Sequence, residues 1–582
     1  MRHLLYLNKF LWRYRNLLII GSAFIVIANL FALYPAEFVR KAFDAVFLSV
    51  QEGSQKSDKI HYTILKYGGL IVTFSILKGV FMFFMRQTII VMSRKIEFDL
   101  KNEIYQQYQS LSMSFYKRNK TGDLMNRISD DVSKVRMYLG PVLMYGINIL
   151  ILFYLVISKM LSISSTLTLY VLIPLPILAV LVYFVSSNIN KRGERVQEQL
   201  SQLTTISQES FSGIKIIKSF VNQANTWKFF LESCKEYTKK QIQLVKIEAV
   251  FFPLIITMIG MSTIFTIYIG GIESFKGNIT TGNIAEFIIY INMLAWPVAS
   301  VGWITSIVQR AAASQERIND FLLIEPEIQN KTKVLTPITG NINFKNVSLT
   351  YNDTNIIALN NVSFTIKEGS SLGVFGKTGS GKSTIASLLC RLYNTTKGDI
   401  VFGKTNIKDL NLFELRSSIG YIPQDGYLFS GSIKENIAFT SNKVNEKKVS
   451  KAAEEAEILD EIEKFTDGFT TIIGERGVKI SGGQRQRLAI ARTFYKNPKL
   501  FIFDDCLSAI DATKEHKILK NLHLKKKGKT SIIISHRIAT IKDADHIIVL
   551  EEGKIVEQGD HQSLLKNRGF YYKINKSQNN LT

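Results

Sequence analysis

Gly376-Lys377-Thr378-Gly379-Ser380-Gly381-Lys382-Ser383 fills every position of the G-x-x-x-x-G-K-[ST] pattern, and its reading decides the fold of the second half of the chain. The run follows the apolar stretch Ser371-Leu372-Gly373-Val374-Phe375, which predicts a buried strand. It opens into Thr384-Ile385-Ala386-Ser387-Leu388-Leu389, which predicts a helix. Glycines let a backbone curl until successive N–H groups face phosphate oxygens, and the helix N-terminus adds the positive end of its dipole. In such a loop Lys382 reaches the β and γ phosphates and Ser383 ligates Mg²⁺. A Gly-rich turn that merely precedes a helix would not need both the lysine and the hydroxyl.

Working outward, alternation begins at Ile342-Asn343-Phe344-Lys345-Asn346-Val347, and Tyr351 closes that strand. Downstream, Leu500-Phe501-Ile502-Phe503-Asp504 is an apolar run closed by a carboxylate. That is the form of a buried parallel strand delivering a Mg²⁺-coordinating Asp beside the phosphate loop. Strands alternating with helices around these points predict a P-loop α/β domain.

The first half reads differently. The chain has 582 residues, is 46% hydrophobic and has a positive mean hydropathy, so at least two domains are expected, one of them built for lipid. After the basic segment Met1 to Asn16, apolar runs predict about six spans: Leu17 to Pro35, Tyr67 to Met92, Tyr138 to Ile157, Ile163 to Val185, Val250 to Gly271 and Ile284 to Ile307. The stretches Ser93 to Met137 and Ser186 to Glu248 open with Arg94-Lys95 and Lys191-Arg192, whereas the links near Lys159 to Ser162 and Glu273 to Gly282 are short and weakly charged. The positive-inside bias therefore puts both termini and both long stretches in the cytoplasm. These stretches keep helical periodicity, interrupted near Tyr116 to Asp123 and at Ser212-Gly213-Ile214-Lys215. Each interruption is either an ordinary helical-hairpin turn or a surface where a soluble domain docks.

The net charge of +24 is not organised as a basic stripe with interleaved aromatics, so no nucleic-acid partner is expected; the charge flanks the apolar runs and fits anionic head groups. Lys525-Lys526-Lys527-Gly528-Lys529 reads as a solvated loop. Cys234, Cys390 and Cys506 make no metal or redox spacing, as expected in a reducing compartment. No cleavable signal peptide is expected. Lys78 and Arg86 fall inside the second span; each either meets an anionic group on a substrate or is simply solvated, Arg86 by snorkelling. Pro174, Pro176 and Pro297 are expected to loosen their helices.

Ile480-Ser481-Gly482-Gly483-Gln484-Arg485-Gln486-Arg487 supplies the remaining signal. With it, nearly the whole chain resembles the ATP-binding cassette (ABC) transporters. Tyr351 matches the aromatic loop that stacks on adenine, Tyr421-Ile422-Pro423-Gln424 the Q-loop and Ser481 to Gln484 the signature. Asp504 matches the Walker B Asp, Ser508-Ala509-Ile510-Asp511 the D-loop and His536 the switch histidine. Glu475-Arg476-Gly477 resembles the X-loop of exporters, and Leu428 to Ile437 is similar to the exporter run after the Q-loop. The two interruptions sit where that branch places its coupling helices.

The resemblance implies an α-helical six-span transmembrane domain (ABC exporter, type IV-like) over residues 1–323, a linker at 324–341 and an α/β P-loop ABC ATPase domain over 342–577. It implies a site in which ATP is held by Tyr351, Gly376, Lys377, Thr378, Gly379, Ser380, Gly381, Lys382, Ser383 and Thr384, and in trans by Ser481, Gly482, Gly483 and Gln484 of a partner chain. Ser383, Gln424 and Asp504 surround Mg²⁺; Asp505, His536 and Gln424 are the catalytic set. The family usually carries Glu where this chain has Asp505. One methylene less shortens the reach by roughly 1.5 Å, and misplacement of that size costs on the order of a hundredfold in rate. An Asp at this place resembles one half of those bacterial heterodimeric exporters in which one ATP site is slow. That resemblance favours a heterodimer, in which this chain's signature completes a competent site on a different partner, over a homodimer in which Asp505 serves as base at reduced rate. The expected function is ATP-driven efflux of an amphiphile, a drug-like compound or a lipid, across the cytoplasmic membrane. The alternatives are a peptide exporter half, against which stands the early start of the first span, and an ATP-gated channel or regulatory subunit.

Overall fold

The computed structural model describes residues 2–51, 57–335, 337–441, 443–474, 480–508, 510–525 and 528–579. Glu475-Arg476-Gly477, Ala509, Lys526 and Lys527 lie outside the described residues. The chain forms two compact units, one of Met1–Gln109 with Gly122–Ile324 and one of Ser110–Thr121 with Glu325–Thr582.

The first unit is helical. Among the described residues six helices are long and apolar enough to cross a membrane. They are α1 (Arg15–Gln51), α2 (Ser57–Ser110), α4 (Thr121–Ile163), the pair α5 (Ser165–Leu172) and α6 (Pro174–Ser212), α8 (Gln223–Phe275) and α9 (Thr281–Leu322). The short helices α3 (Met113–Arg118) and α7 (Ile214–Ser219) intervene. A 54-residue helix such as α2 is about 80 Å long at 1.5 Å per residue, far more than a bilayer core requires.

Three boundaries differ from the sequence reading. The third and fourth spans are joined through Ser164 alone: its extended backbone breaks the helix and its hydroxyl accepts the Leu167 N–H at 3.2 Å, so the fourth span starts at Ser165 rather than Ile163. The link before α9 closes at Thr280, whose side chain forms a capping box with Asn283. The first interruption begins at Leu111–Ser112, ahead of Tyr116, and α3 lies within it. Pro174, lacking an N–H, ends the continuous hydrogen-bond ladder between α5 and α6 as expected, whereas α9 runs through Pro297.

Buried charges in this unit are paired. Glu286, 2% exposed, accepts from Tyr290 Oη at 2.7 Å and pairs with Arg40 Nε at 3.1 Å, tying α9 to α1. Asp131 accepts from Ser314 Oγ at 2.8 Å and Arg317 Nε at 3.0 Å, tying α9 to α4. Each carboxylate recovers in hydrogen bonds what it loses in hydration.

Among its described residues the second unit carries twelve strands: β1 (Ile342–Tyr351), β2 (Ile356–Ile366), β3 (Ser371–Gly376), β4 (Lys397–Phe402), β5 (Thr405–Asn406), β6 (Ile419–Ile422), β7 (Gly431–Ser432), β8 (Ile472–Ile473), β9 (Leu500–Asp504), β10 (Thr530–Ser535), β11 (His546–Glu551) and β12 (Lys554–Gly559). They form an antiparallel sheet β2-β1-β4-β5, a small pair β7-β8, and a central sheet β12-β11-β3-β10-β9-β6 that is parallel except at its β12 edge. The central strands are buried on both faces. Phe375, Phe501, Phe503 and Ile533 point into one core, and Leu372, Val374, Ile502, Ile532 and Ile534 into the other, the two-residue period of a covered parallel sheet. The helix α10 (Lys382–Leu389) follows the phosphate loop, and α11 (Leu459–Glu463) packs beside α12 (Gly482–Lys496). Ser110–Thr121 belongs to this unit; within it Ser114 Oγ donates to Glu327 Oε2 at 2.6 Å and Arg118 pairs with Glu327 at 3.0 Å.

One ion pair fixes α12. Arg487, whose side chain is 7% exposed, grips Glu461 of α11 through two bonds of 2.8 and 3.0 Å, and Lys514 also contacts that carboxylate. Burial pushes the Glu461 carboxyl up, but hydrogen bonds from Arg487, Lys514 and Gln484 outweigh it and hold the pKa at about 2, against an ordinary 4.5. A depressed carboxyl stabilises the fold above its unfolded pKa, and that contribution is lost as pH falls through the folded value. Differential scanning calorimetry of the full chain should therefore show a stability loss between about pH 4.5 and about pH 2 that is smaller in Glu461→Ala, the remainder coming from other depressed carboxyls such as Glu97 and Asp560. At neutral pH that variant, which leaves Arg487 buried and unpaired, should cost roughly 3 kcal/mol.

Candidate functional site

The phosphate loop is shaped by what surrounds it. Gly381 sits at φ 95°, and a Cβ there would overlap the Ala358 carbonyl oxygen; a Cβ on Gly376 would overlap that of Leu550. Only glycine lets the loop pass both points. Lys382 folds back so that Nζ donates to the Gly376 carbonyl at 2.8 Å and the Lys377 carbonyl at 2.6 Å. Burial lowers its pKa, and the nearby Asp505 and Asp504 carboxylates oppose that shift. A partly desolvated ammonium wrapped by its own loop is poised for an anion.

Beside it, β9 ends at Asp504, 2% exposed. Its two oxygens accept from Ser383 Oγ at 2.7 Å and Tyr421 Oη at 3.1 Å. Burial raises the Asp504 pKa, and the Ser383 and Tyr421 hydrogen bonds only partly offset this. Burial likewise pushes the Tyr421 phenol up, helped by the Asp504 charge. A buried carboxylate held by hydroxyls alone is short of positive charge. Asp504, Ser383 and Gln424 offer a small all-oxygen donor set, the kind Mg²⁺ completes with water and phosphate oxygens. Among the described residues no cluster of three or more His, Cys, Asp and Glu forms a closed metal cage.

The next residue, Asp505, has φ 49°, and its N–H donates to the Ile534 carbonyl at 2.9 Å. Its oxygens lie 3.0 and 3.1 Å from His536 Nδ1. The imidazole, half exposed, thus meets the short carboxylate directly.

A cavity of about 390 Å³ unites these groups, within the usual size of small-molecule sites. Its walls include Tyr351, Thr378, Gly379, Gly381, Lys382, Ser383, Thr384, Gln424, Asp504, Asp505 and His536. Gly376, Lys377 and Ser380 shape the loop without lining the cavity; Lys377 extends over the Phe570 ring at 5.2 Å. Ser481, Gly482, Gly483 and Gln484 are not on its wall either. They form the N-terminus of α12, where Ser481 Oγ accepts the Gln484 N–H at 3.2 Å and Gln484 Oε1 accepts the Ser481 N–H at 2.8 Å. Ser481 and Gly482 are exposed, so this helix start is open to an anion from outside the chain.

Two participants escape the sequence reading. Tyr421 stands in the quoted Tyr421–Gln424 run, yet only the fold brings its hydroxyl to Asp504. Lys117, from α3, lines the cavity with Nζ 4.6 Å from the Tyr351 ring centre and 5.4 Å from that of Tyr393, a cation–π contact. A pattern within the ATPase half gives no signal for it.

Comparison with known proteins follows the same division. Residues 18–298 match the family model described as ABC transporter transmembrane region, and residues 359–508 match the model described as ABC transporter. The probable multidrug resistance ABC transporter ATP-binding/permease protein YheI of Bacillus subtilis (strain 168) is 32% identical over 95% of this chain and 93% of its own length. The ATP-dependent lipid A-core flippase of Syntrophus aciditrophicus (strain SB) is 31% identical over 87% of this chain and 84% of its own. Among solved structures, a bacterial Atm1-family ABC exporter with ATP bound has the same fold, with TM-score 0.78, 23% identity and 98% coverage of both chains.

Tyr421→Phe removes one of two donors to Asp504, so the pKa of that carboxyl should rise further. In electron paramagnetic resonance titrations of Mn²⁺ with a non-hydrolysable ATP analogue, the acid limb of binding should move to higher pH by about one unit, the size expected for a hydrogen bond to a charged group.

Proposed function

Because this chain belongs to the ABC transporter family, with its membrane and ATPase regions on one polypeptide, we propose that it is one half of a dimeric exporter expelling an amphiphile from the cytoplasmic membrane at the expense of ATP. The observation that carries the reading is the convergence of Lys382, Ser383, Asp504, Asp505 and His536 on one cavity of a chain that also has, among its described residues, six membrane-length helices. The names of the relatives, multidrug resistance and lipid flipping, support an amphiphilic cargo. Both termini and the ATPase region are assigned to the cytoplasm on the loop charges.

In this reading Tyr351 stacks on adenine, the loop N–H groups and Lys382 hold the β and γ phosphates, and Ser383, Gln424 and Asp504 hold Mg²⁺. The chemistry that Mg²⁺ would supply there is neutralisation of phosphate charge, with these three residues setting where it would sit. Asp505 accepts the proton of the attacking water, and His536 orients that carboxylate and faces the γ-phosphate. The separation of Ser481 to Gln484 from their own chain's cavity supports a partner whose nucleotide they complete. ATP then favours the closed pair by its differential affinity for it, and hydrolysis removes that preference.

The same geometry supports a slow site. Asp505 is engaged by His536 at 3.0 Å, and its short side chain reaches less far than a Glu would. We therefore favour a heterodimer in which the partner carries the longer base. Steady-state ATPase of the chain purified alone in lipid nanodiscs tests this, with Lys382→Ala as the blank. Wild type should sit near the blank and Asp505→Glu should rise at least tenfold above it, part of the on-the-order-of-hundredfold cost of a misplaced group. Brisk turnover by wild type with no gain from Asp505→Glu would make Asp505 a working base and the homodimer the correct assembly.

A further inference from the structure

Two cavities in the membrane unit meet at Tyr145. The larger, about 590 Å³, is walled by Tyr145, Phe251, Trp296 and Trp303, and its one charged lining residue is Arg310. The smaller, about 490 Å³, carries Arg86 beside the same Tyr145. The Tyr145 and Trp303 rings stand edge to face at 5.9 Å, and Tyr145 borders both spaces. No carboxylate lines either cavity.

The two guanidiniums combine the lack of an ion pair among the described residues, which Arg15 and Arg195 share, with a place on a cavity wall. Arg40 pairs with Glu286 at 3.1 Å, Arg136 with Glu97 at 3.5 Å, and Arg317, seven residues beyond Arg310 on α9, with Asp131. Among the described residues Arg86 and Arg310 have no such partner, and each faces a cavity instead. Lys78, the other cation of the second span, lines neither space. Both side chains are exposed, and a guanidinium beside aromatic faces offers a planar fork to a carboxylate, sulfate or phosphate and repels a second cation.

Resting on the export reading above, we propose that these two neighbouring cavities recognise an anionic amphiphile as cargo, Arg310 and Arg86 taking its charged head and Tyr145, Phe251, Trp296 and Trp303 its apolar body. The cavities thereby discriminate against cationic amphiphiles of the same size.

The test uses the full chain in zwitterionic nanodiscs and two dansyl-labelled acyl probes of equal length, one ending in a carboxylate and one in a quaternary ammonium. Binding is read by energy transfer from tryptophan to dansyl. The carboxylate probe should bind at least tenfold more tightly than its cationic twin. Arg310→Gln should erase most of that difference by weakening the carboxylate probe alone, Arg310→Lys should restore part of it, and Arg86→Gln should act in the same direction. Equal binding of the two probes, or preference for the cation, overturns the charge assignment and leaves amphiphile export standing. Binding of neither probe removes both. Complete displacement of the carboxylate probe by anionic phospholipid added to the nanodiscs shows that the cavities hold bulk lipid head groups, and overturns the proposal as well.

Discussion

Parallel register across β3, β10 and β9 is the constraint on which the nucleotide cavity depends. Ser535 lies opposite Phe375, and Ile534 opposite Asp504. Three strands therefore end at one edge of the sheet and deliver the phosphate loop, His536 and the Asp504–Asp505 pair to the same place. A shift of one residue would turn the inward side chains of a strand to its other face, and both faces here are packed. The register is thus enforced by two cores at once, and the site inherits its precision from aliphatic packing that touches no phosphate.

What could be read before folding follows from how local each feature is. The phosphate loop, the apolar run ending at Asp504 and the six spans are written in contiguous residues, each obeying a short-range rule, and the fold class follows from them. Helix ends were harder. The break near Tyr116 begins earlier because Ser112, in extended backbone, ends the preceding helix before the Gly and Asn that marked the break. Hidden altogether were contacts that only tertiary structure makes: the Tyr421 hydroxyl on Asp504, Lys117 on the Tyr351 ring, and Arg310 in its aromatic cavity. A tyrosine in a quoted run, a lysine in a turn and an arginine within a helix each have an ordinary explanation in sequence, and none announces its partner.

Asp505 joins the two kinds of information. Its identity is legible as a departure from a pattern, but the departure acquires meaning from the left-handed backbone that aims it and from the imidazole it meets. Asp tolerates that conformation better than most residues because its short polar side chain can bond locally. The position is therefore comfortable for the residue it holds.

The uninterrupted α2 helix has a mechanical consequence. Its 54 residues contain no proline, so it bends little and behaves as a rod of about 80 Å. Pivoting such a rod by about 5° about its middle displaces each tip by roughly 3.5 Å, close to a full residue's advance along an extended chain. Small angular changes are thus geared up into atomic-scale strokes without any change in the rod's own hydrogen bonds. The gearing is set by length alone, so lengthening or shortening this helix by whole turns would retune the stroke while leaving the chemistry at the sheet edge untouched.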